Sequence, residues 1–453
     1  MNAKSVAAPA AAAVVCLLAA AAAGGPGVVG FADPNLESAV RAELGIASPT
    51  PVTTADMLTM GSLDADRMDV EQLGGLEHGL NLTALNASSN RIEDLSPLAG
   101  LTGLSSLALS NNDIRDVSPL TSLAWMVKLR VSGNWIRDIS PLATMGNLER
   151  VSLGSNAVTD MSALGGMIRL RELSLRGNQI RAVPPMAGSP DLVYLDLGDN
   201  KITDISGLVG MEHSPDLRLS LDSNQIADVS PLTSLTGVAV VSLDSNAISD
   251  ISALAGLSGI SSLYLRDNLI TDISALATAT DLESLGLSAN QITDISAVAG
   301  MRNLRGLSLG RNQITDFSPL SGLTGLSALY LESNGISDIS PLAGLSNLTR
   351  LHLDDNQISD ISGLGGLSNL MYVGLDDNQI SDISPLAGLT ELDDLDLRGN
   401  PLNREAYDTY LPLIEANNPG VRLSYDPLPE PATLALLAAG ACLALRRRDT
   451  AAK

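Results

Sequence analysis

The sequence predicts an α/β repeat solenoid, with a parallel β-sheet of short strands on a concave face and short 3₁₀ or turn segments on the convex one. The first observation behind this is a recurring asparagine. It stands at Asn90, Asn112, Asn134, Asn156, Asn178 and Asn200, then at Asn224, Asn246, Asn268, Asn290, Asn312, Asn334, Asn356, Asn378 and Asn400. The spacing is 22 residues, with a single step of 24 between Asn200 and Asn224. The second is the apolar pattern around each Asn. "LTRLHLDDNQISDISGLGGL" is followed by "LMYVGLDDNQISDISPLAGL", and a fixed period of this kind is the signature of a stacked repeat. The third is composition: 45% of residues are hydrophobic but only 2% aromatic, so the core must be aliphatic.

Each stretch of the repeat has a mechanical reading. Leu351 and Leu353 alternate inward on a short strand while their neighbours point outward. The chain then turns, and the Asn amide can satisfy backbone groups that the turn leaves bare. The "DISP" segment starts a helical turn, with Ser as an N-cap and Pro suited to the first helical position. Twenty-two residues per coil leave room for a 3₁₀ turn and not for a long helix. A degenerate first repeat precedes Asn90, in which Leu63, Val70, Leu73 and Leu76 keep the register while Met68 takes the Asn place.

The pattern L-x-x-L-x-L-x-x-N-x-I-x-D-I-S-P-L resembles the leucine-rich repeat family, in its short, internalin-like bacterial class, over residues 62–400. The resemblance implies a leucine-rich repeat horseshoe with about fifteen repeats after the degenerate one. Its ends need covers, because terminal repeats otherwise expose apolar edges. Residues 33–61 read as a helical N-terminal cap. Asp33 serves as N-cap, Pro34 takes the first helical position, and Leu36, Ala39, Val40 and Leu44 share one apolar face. "TTADMLTM" reads as a second short helix. Residues 401–425 read as a C-terminal cap, a helix interrupted at Pro412 and then a final strand.

Both ends of the chain carry apolar runs. Residues 1–23 have one Lys, an unbroken apolar stretch and an Ala21-Ala22-Ala23 cleavage pattern, which together read as a secretory signal peptide. Residues 426–453 contain Pro429-Glu430-Pro431, an apolar run from Ala432 to Leu445, and Arg446, Arg447 and Arg448. Fourteen apolar residues are short of the roughly 20 that a membrane-spanning helix needs. In this order the three elements resemble the PEP-CTERM sorting signal of Gram-negative bacteria. That resemblance implies export, processing by signal peptidase and by an exosortase, transient membrane insertion of the tail, and delivery to the cell surface or extracellular matrix. Cys16 and Cys442 both lie in these end segments, so their removal leaves no thiol for a disulfide, a metal or catalysis. Removal also deletes Lys4, Arg446, Arg447, Arg448 and Lys453 against Asp449 alone, which makes a chain of net charge −24 still more acidic. Such charge disfavours nucleic acid as a partner.

Catalytic chemistry has little footing in the sequence. His78, His213 and His352 lie many repeats apart, and no zinc-protease, serine-hydrolase or phosphate-loop pattern occurs. Carboxylate pairs of the glycosidase kind arise by chance on so acidic a repeat. The chain therefore reads as non-enzymatic, with no cofactor. An Asp stands four residues after the Asn in thirteen of fourteen turns, from Asp94 to Asp382, with Ala182 the exception. This column caps local turns, with weak calcium binding as the functional alternative.

Binding specificity is expected on the concave strands, two, four and six residues before each Asn. Those positions hold Lys128, Arg130, Arg150 and Arg176, a basic patch on an acidic chain. Further along come Tyr194, Tyr264, Tyr330 and Tyr372, with His352 and Arg350 among the last of them. Tyr330 and His352 occupy equivalent places in adjacent coils and are expected to be neighbours. Tyrosine and arginine are frequent binding anchors, and tyrosine also has good strand propensity. The function implied is an exported surface or matrix protein that binds a protein or polysaccharide. The alternatives are a matrix or biofilm component without a specific ligand, and an intracellular scaffold resembling the phosphatase-binding repeat proteins.

Overall fold

The computed structural model describes residues 27–186, 189–211, 213–235, 237–257 and 259–428. The signal segment, Pro429, Glu430, Pro431, Arg446, Arg447 and Arg448 lie outside these described residues. The chain divides between Leu217 and Arg218 into two compact units, each a stretch of the expected repeat solenoid.

In the first unit, helix α1 (Pro34–Leu44) and the short helix α2 (Thr54–Met57) precede seven strands. These are β1 (Ser62–Asp64), β2 (Ala84–Asn86), β3 (Ser106–Ala108), β4 (Lys128–Arg130), β5 (Arg150–Ser152), β6 (Glu172–Ser174) and β7 (Tyr194–Asp196). Each pairs in parallel with the next, so that Lys128 faces Arg150 and Leu129 faces Val151. The second unit begins with β8 (Arg218–Ser220), β9 (Val240–Ser242), β10 (Ser262–Tyr264), β11 (Ser284–Gly286) and β12 (Gly306–Ser308). It continues through β13 (Ala328–Tyr330), β14 (Arg350–His352), β15 (Tyr372–Gly374), β16 (Asp394–Asp396) and β17 (Arg422–Ser424), again all parallel. Among the described residues no helix is long and apolar enough to cross a membrane.

Three-residue strands follow from the pattern: the central residue faces inward and its neighbours outward. Leu329, Leu351, Val373 and Leu395 stack in consecutive coils, each less than 4% exposed. Between strands the "SPL" segments form 3₁₀ turns with a buried Leu, such as Leu342 and Leu386. The expected N-cap differs in detail. Serine opens each turn, and the Asp two residues earlier does the capping. Its carboxylate accepts the Ser N–H at 2.8 Å in all thirteen Asp-bearing turns. Aspartate's shorter reach to a backbone donor two residues on favours this closed loop.

The Asn ladder is the polar counterpart of the leucine stack. Asn356 Nδ2 donates to the carbonyls of Leu331, Leu353 and Asp354 at 3.1, 2.9 and 3.1 Å, while its Oδ1 accepts from Ile336 N at 3.0 Å. Oδ1 also accepts from Asn334 N at 3.1 Å and Gly335 N at 3.0 Å, so one side chain joins two coils and satisfies six backbone groups. The degenerate first coil borrows the device, since Met68 N and Val70 N both donate to Asn90 Oδ1.

Buried polar side chains also tie down the caps. Asp33 accepts from Asn35 N and Leu36 N of α1 and from Glu71 N and Gln72 N of the first coil. Burial pushes the Asp33 carboxyl up, but these four N–H bonds outweigh it and hold the group below its usual range. In the C-terminal cap, Asn418 accepts from Leu392 N and donates to Leu389 O and Ile414 O. Pro412 interrupts the hydrogen bonding there without ending the helix. A π-helical turn, Ala406–Tyr410, runs directly into helix α3 (Leu411–Asn417). The wider turn absorbs the missing proline N–H and its clash with the preceding carbonyl.

Candidate functional site

With strand centres buried, the flanking positions form an open face on each unit's sheet, and the expected site residues lie there. In the first unit Lys128 and Arg130 flank Leu129 on β4, Arg150 begins β5, and Arg176 follows β6. Their charges are partly spent within the protein. Arg150 Nε lies 3.0 Å from Glu172 Oε1, and Arg176 lies 3.4 Å from Asp196 and 3.3 Å from Asp199. Tyr194 Oη contacts the same Asp196 carboxylate at 3.2 Å. Asp196 is only 5% exposed, so Arg176 and Tyr194 are built around a buried acid that sequence reasoning passed over.

In the second unit, Tyr264 of β10 lies beside Gly286 of β11, where an added Cβ would sit 3.2 Å from the tyrosine ring. The remaining residues converge. The rings of Tyr330 and His352 stack with centroids 5.1 Å apart and planes 13° apart, because β13 and β14 bring them into register. On the next strand pair, the Arg350 guanidinium lies over Tyr372, 4.9 Å from the ring centroid. Such a contact contributes about 0.5–1 kcal/mol at an exposed site.

These four side chains border a hollow of 370 Å³ on β13–β16, lined also by Asp354, Val373, Gly374, Asp376, Asp394 and Asp396. The acids are the part of the site that sequence reasoning missed. They occupy the same outward positions before the Asn, but the search of those positions weighed aromatic and basic residues alone. His352 Nδ1 lies 3.2 Å from Asp354 Oδ2, and this hydrogen bond, ahead of opposing burial, raises the imidazole above its ordinary value. Asp376 is pushed up to about 7, chiefly because its carboxyl hydrogen-bonds to that of Asp354 and secondly by burial. Asp354 is partly buried, which alone would raise it. Hydrogen bonds from His352 and from protonated Asp376 outweigh burial and keep it ionised. The Asp354–Asp376 pair therefore holds one proton near neutrality.

The Asp column on the turns has the partners of a structural cap. Backbone N–H bonds from the following Ser are the main cause that lowers Asp138, Asp250, Asp316 and Asp360. Among the described residues no group of three or more His, Cys, Asp or Glu side chains is placed to hold a metal ion.

Comparison with known proteins agrees with this architecture. The family profile described as "Leucine Rich repeats (2 copies)" matches residues 80–122, 168–210, 260–300 and 302–344. A second, "Leucine rich repeat", matches 324–380 and 346–402. Among solved structures the chain is similar to an internalin (InlF) from Listeria monocytogenes, at 33% identity over 76% of this chain and 96% of that one, with a TM-score of 0.64. A leucine-rich repeat protein of Leptospira interrogans, 23% identical, aligns over 82% of this chain and 97% of its own with a TM-score of 0.74. The ectodomain of the Arabidopsis thaliana receptor kinase GASSHO1/SCHENGEN3, solved in complex with CASPARIAN STRIP INTEGRITY FACTOR 2, is 21% identical. It aligns over 78% of this chain and 45% of that one, with a TM-score of 0.65. The last two show the fold alone. No curated protein sequence matches the chain.

Proposed function

The chain belongs to the leucine-rich repeat family, and from that premise we propose that it is an exported, non-enzymatic binding protein of the cell surface or extracellular matrix. Its ligand is a protein, held on the open face of β13–β16. The observation that carries this is the convergence of Tyr330, His352, Arg350 and Tyr372 around one acid-lined hollow. Tyrosine and arginine anchors surrounded by polar groups are the usual make-up of a binding hot spot. A polysaccharide is less well served, because sugars stack on open ring faces. One face of Tyr330 is taken by His352, and one face of Tyr372 by Arg350.

Export rests on the signal-peptide pattern of residues 1–23 and on the Pro429-Glu430-Pro431, apolar and triple-arginine order of the tail. Similarity to an internalin is compatible with it. On this reading signal peptidase removes the leader, and an exosortase cleaves near Glu430. Mass spectrometry of both termini of the surface fraction checks the scheme: a chain beginning after Ala23 and ending near Glu430 is expected, and an intact Met1 terminus would overturn export. For the binding site, surface proteins cross-linked to the wild type are compared with those captured by a Tyr330→Ala/Tyr372→Ala variant. The expected result is a protein captured by the wild type and lost by the variant; capture unchanged by the double substitution would refute this site.

A further inference from the structure

Gly374 occupies an outward position of β15, in register with His352 on one side and Asp396 on the other. A side chain is missing from the sheet surface at that point, and the gap between the flanking strands is about 9–10 Å, two strand spacings. The result is a slot one strand wide, walled by an imidazole and a carboxylate, with the Asp354 carboxylate lying across the backbone of its floor. The glycine is required there. An added Cβ would lie 2.2 Å from Asp354 Oδ1, which leans across the floor. That oxygen is shut off from solvent and has no N–H donor among the described residues.

The charges around the slot come from five strands and the turns that follow them. Asp394 is paired with Arg422 at 3.2 Å, and Asp396 with Arg398 Nε at 2.9 Å. Arg350 is engaged with Tyr372, and His352 with Asp354. Among the described residues neither Asp354 nor Asp376 has an arginine or lysine at ion-pair distance, and Arg398, bound to Asp396, acts on Asp376 only from farther off. The two carboxyls line the same hollow, and the Asp354 carboxylate raises Asp376 to about 7. Neighbouring carboxylates favour either a proton or a cation between them, and no side-chain cation of the protein reaches this pair.

We propose that this slot takes a lysine or arginine side chain of the protein ligand, its cationic head seated between Asp354 and Asp376 above Gly374. This rests on the reading of the open face as a protein-binding site. The arriving cation supplies N–H donors to Asp354 Oδ1 and to the Asp376 carboxylate, and the proton of the pair leaves to solvent. Charge-assisted bonds of this kind are about twice as strong as neutral ones. The walls suit the occupant, because the rings of Tyr330 and His352 flank the aliphatic stem while the carboxylates meet the head.

The chain has three histidines, so ring NMR signals report on His352 against two internal controls, His78 and His213. The full-length protein is titrated with a tri-lysine peptide, N-acetylated and C-amidated, and with the same peptide acetylated on its three ammonium groups. The free-ammonium peptide is expected to shift the His352 ring signals and leave those of His78 and His213 in place. Its affinity should rise about tenfold from pH 6 to pH 8, as proton competition is relieved. Asp376→Asn should weaken binding and flatten that pH dependence. Gly374→Ala, which keeps every charge but fills the floor, should abolish the His352 shift; ring contacts between His352 and Tyr330 report that the fold persists in both variants. Equal shifts at all three histidines, a response to the acetylated peptide, or full binding by Gly374→Ala would overturn the proposal. The ligand-capture experiment separates the two readings. Capture that depends on Tyr330 and Tyr372 without any tri-lysine response leaves the site and removes the cation slot. A tri-lysine response with capture independent of those tyrosines does the reverse.

Discussion

Strands β4–β6 and strands β13–β16 are made from the same 22-residue coil, yet they present opposite chemistry on their open faces. In the first unit the outward positions offer Lys128, Arg130, Arg150 and Arg176, and the acids nearby serve to neutralise Arg150 and Arg176. In the second unit acids are in excess, aromatic rings stack, and a pair of carboxylates is left sharing a proton. Beneath both faces the leucine stack and the Asn ladder are alike. The lesson is a division of labour within each coil. Inward positions and the Asn fix the backbone, which leaves the outward positions free to vary in chemistry without cost to the fold.

The strongest test of that division is to cut the ladder under each face. Asn134 donates to Leu109 O and Val131 O at 3.0 Å and to Ser132 O at 3.3 Å and accepts from Ile114 N at 3.0 Å, while Asn356 makes the equivalent four bonds and accepts from Asn334 N and Gly335 N as well. Asn134→Ala and Asn356→Ala should each cost about 2–4 kcal/mol, because several buried backbone groups lose their partners at once. Urea denaturation followed by circular dichroism measures this. The loss at Asn356 is expected to be the larger within that range, and a loss below about 1 kcal/mol at either would show that the coils are held otherwise.

Substitutions on the open faces should do the converse. Tyr330→Ala is expected to reduce affinity for the captured protein by roughly 10- to 100-fold, the range of a hot-spot aromatic. Its urea midpoint should stay near that of the wild type. Lys128→Ala and Arg130→Ala should leave the same affinity unchanged, because they lie on the first unit's face. Surface interferometry on the purified variants distinguishes these outcomes, and a large effect of Lys128→Ala would place the ligand on the basic strands.

The two units should also part company with pH. In each, turn aspartates lie below their usual range: Asp94 mainly through the Ser96 hydroxyl, Asp138 and Asp338 mainly through the N–H of the following serine. A lowered carboxyl stabilises above its unfolded value and loses that contribution as pH falls through the folded one, so both units weaken in acid below about pH 4. The second unit has an opposing contribution. The folded values of Asp376 and His352 are raised, Asp376 to about 7. Their stabilisation is complete below the unfolded values and is lost as pH climbs through the folded ones. After allowance for solvent screening this amounts to about 1 kcal/mol between pH 5 and 8. Amide hydrogen exchange should show strands β13–β16 opening more readily at pH 8 than at pH 5, after correction for the intrinsic rate, with β4–β6 unaffected. Asp376→Asn should remove most of the difference.

How far the sequence reveals all this depends on the kind of information each residue carries. The solenoid is legible because Leu351, Asn356 and Pro385 each answer to a local rule, and the rule repeats every 22 residues. The Tyr330–His352 neighbourhood is legible for the same reason, since parallel register places equal positions side by side. The acids of the hollow were present at those positions but lacked a distinguishing mark, because Asp is everywhere in this chain. What sets Asp354 and Asp376 apart is Gly374, and its importance depends on the lean of a neighbouring side chain, which no spacing encodes. The serine and aspartate of the "DIS" turn exchange roles for a similar reason, since both can cap and only the backbone path decides which does.

Least legible is the residue immediately before each ladder asparagine, which adopts a left-handed backbone in both units: φ is 52° at Ser155, 56° at Ala289 and 55° at Arg311. The sequence hints at it where glycine appears, as at Gly133 and Gly177, and more weakly where Asn or Asp does, as at Asn111 and Asp199. A non-glycine residue in this region costs roughly 1–2 kcal/mol, and the Asn bonds that follow it offset the strain. Glycine relieves that cost but loses more freedom on folding. The net gain from Ser155→Gly in the first unit or Ala289→Gly in the second should therefore be small, about 0.5 kcal/mol each, and equal within error. A rise in melting temperature of about one or two degrees for each, with additivity in the double variant, is the expected result, since the two positions share no partner. If only one of them responds, the coils of the two units are not equivalent, and the difference between the units would then extend below the surface into the backbone.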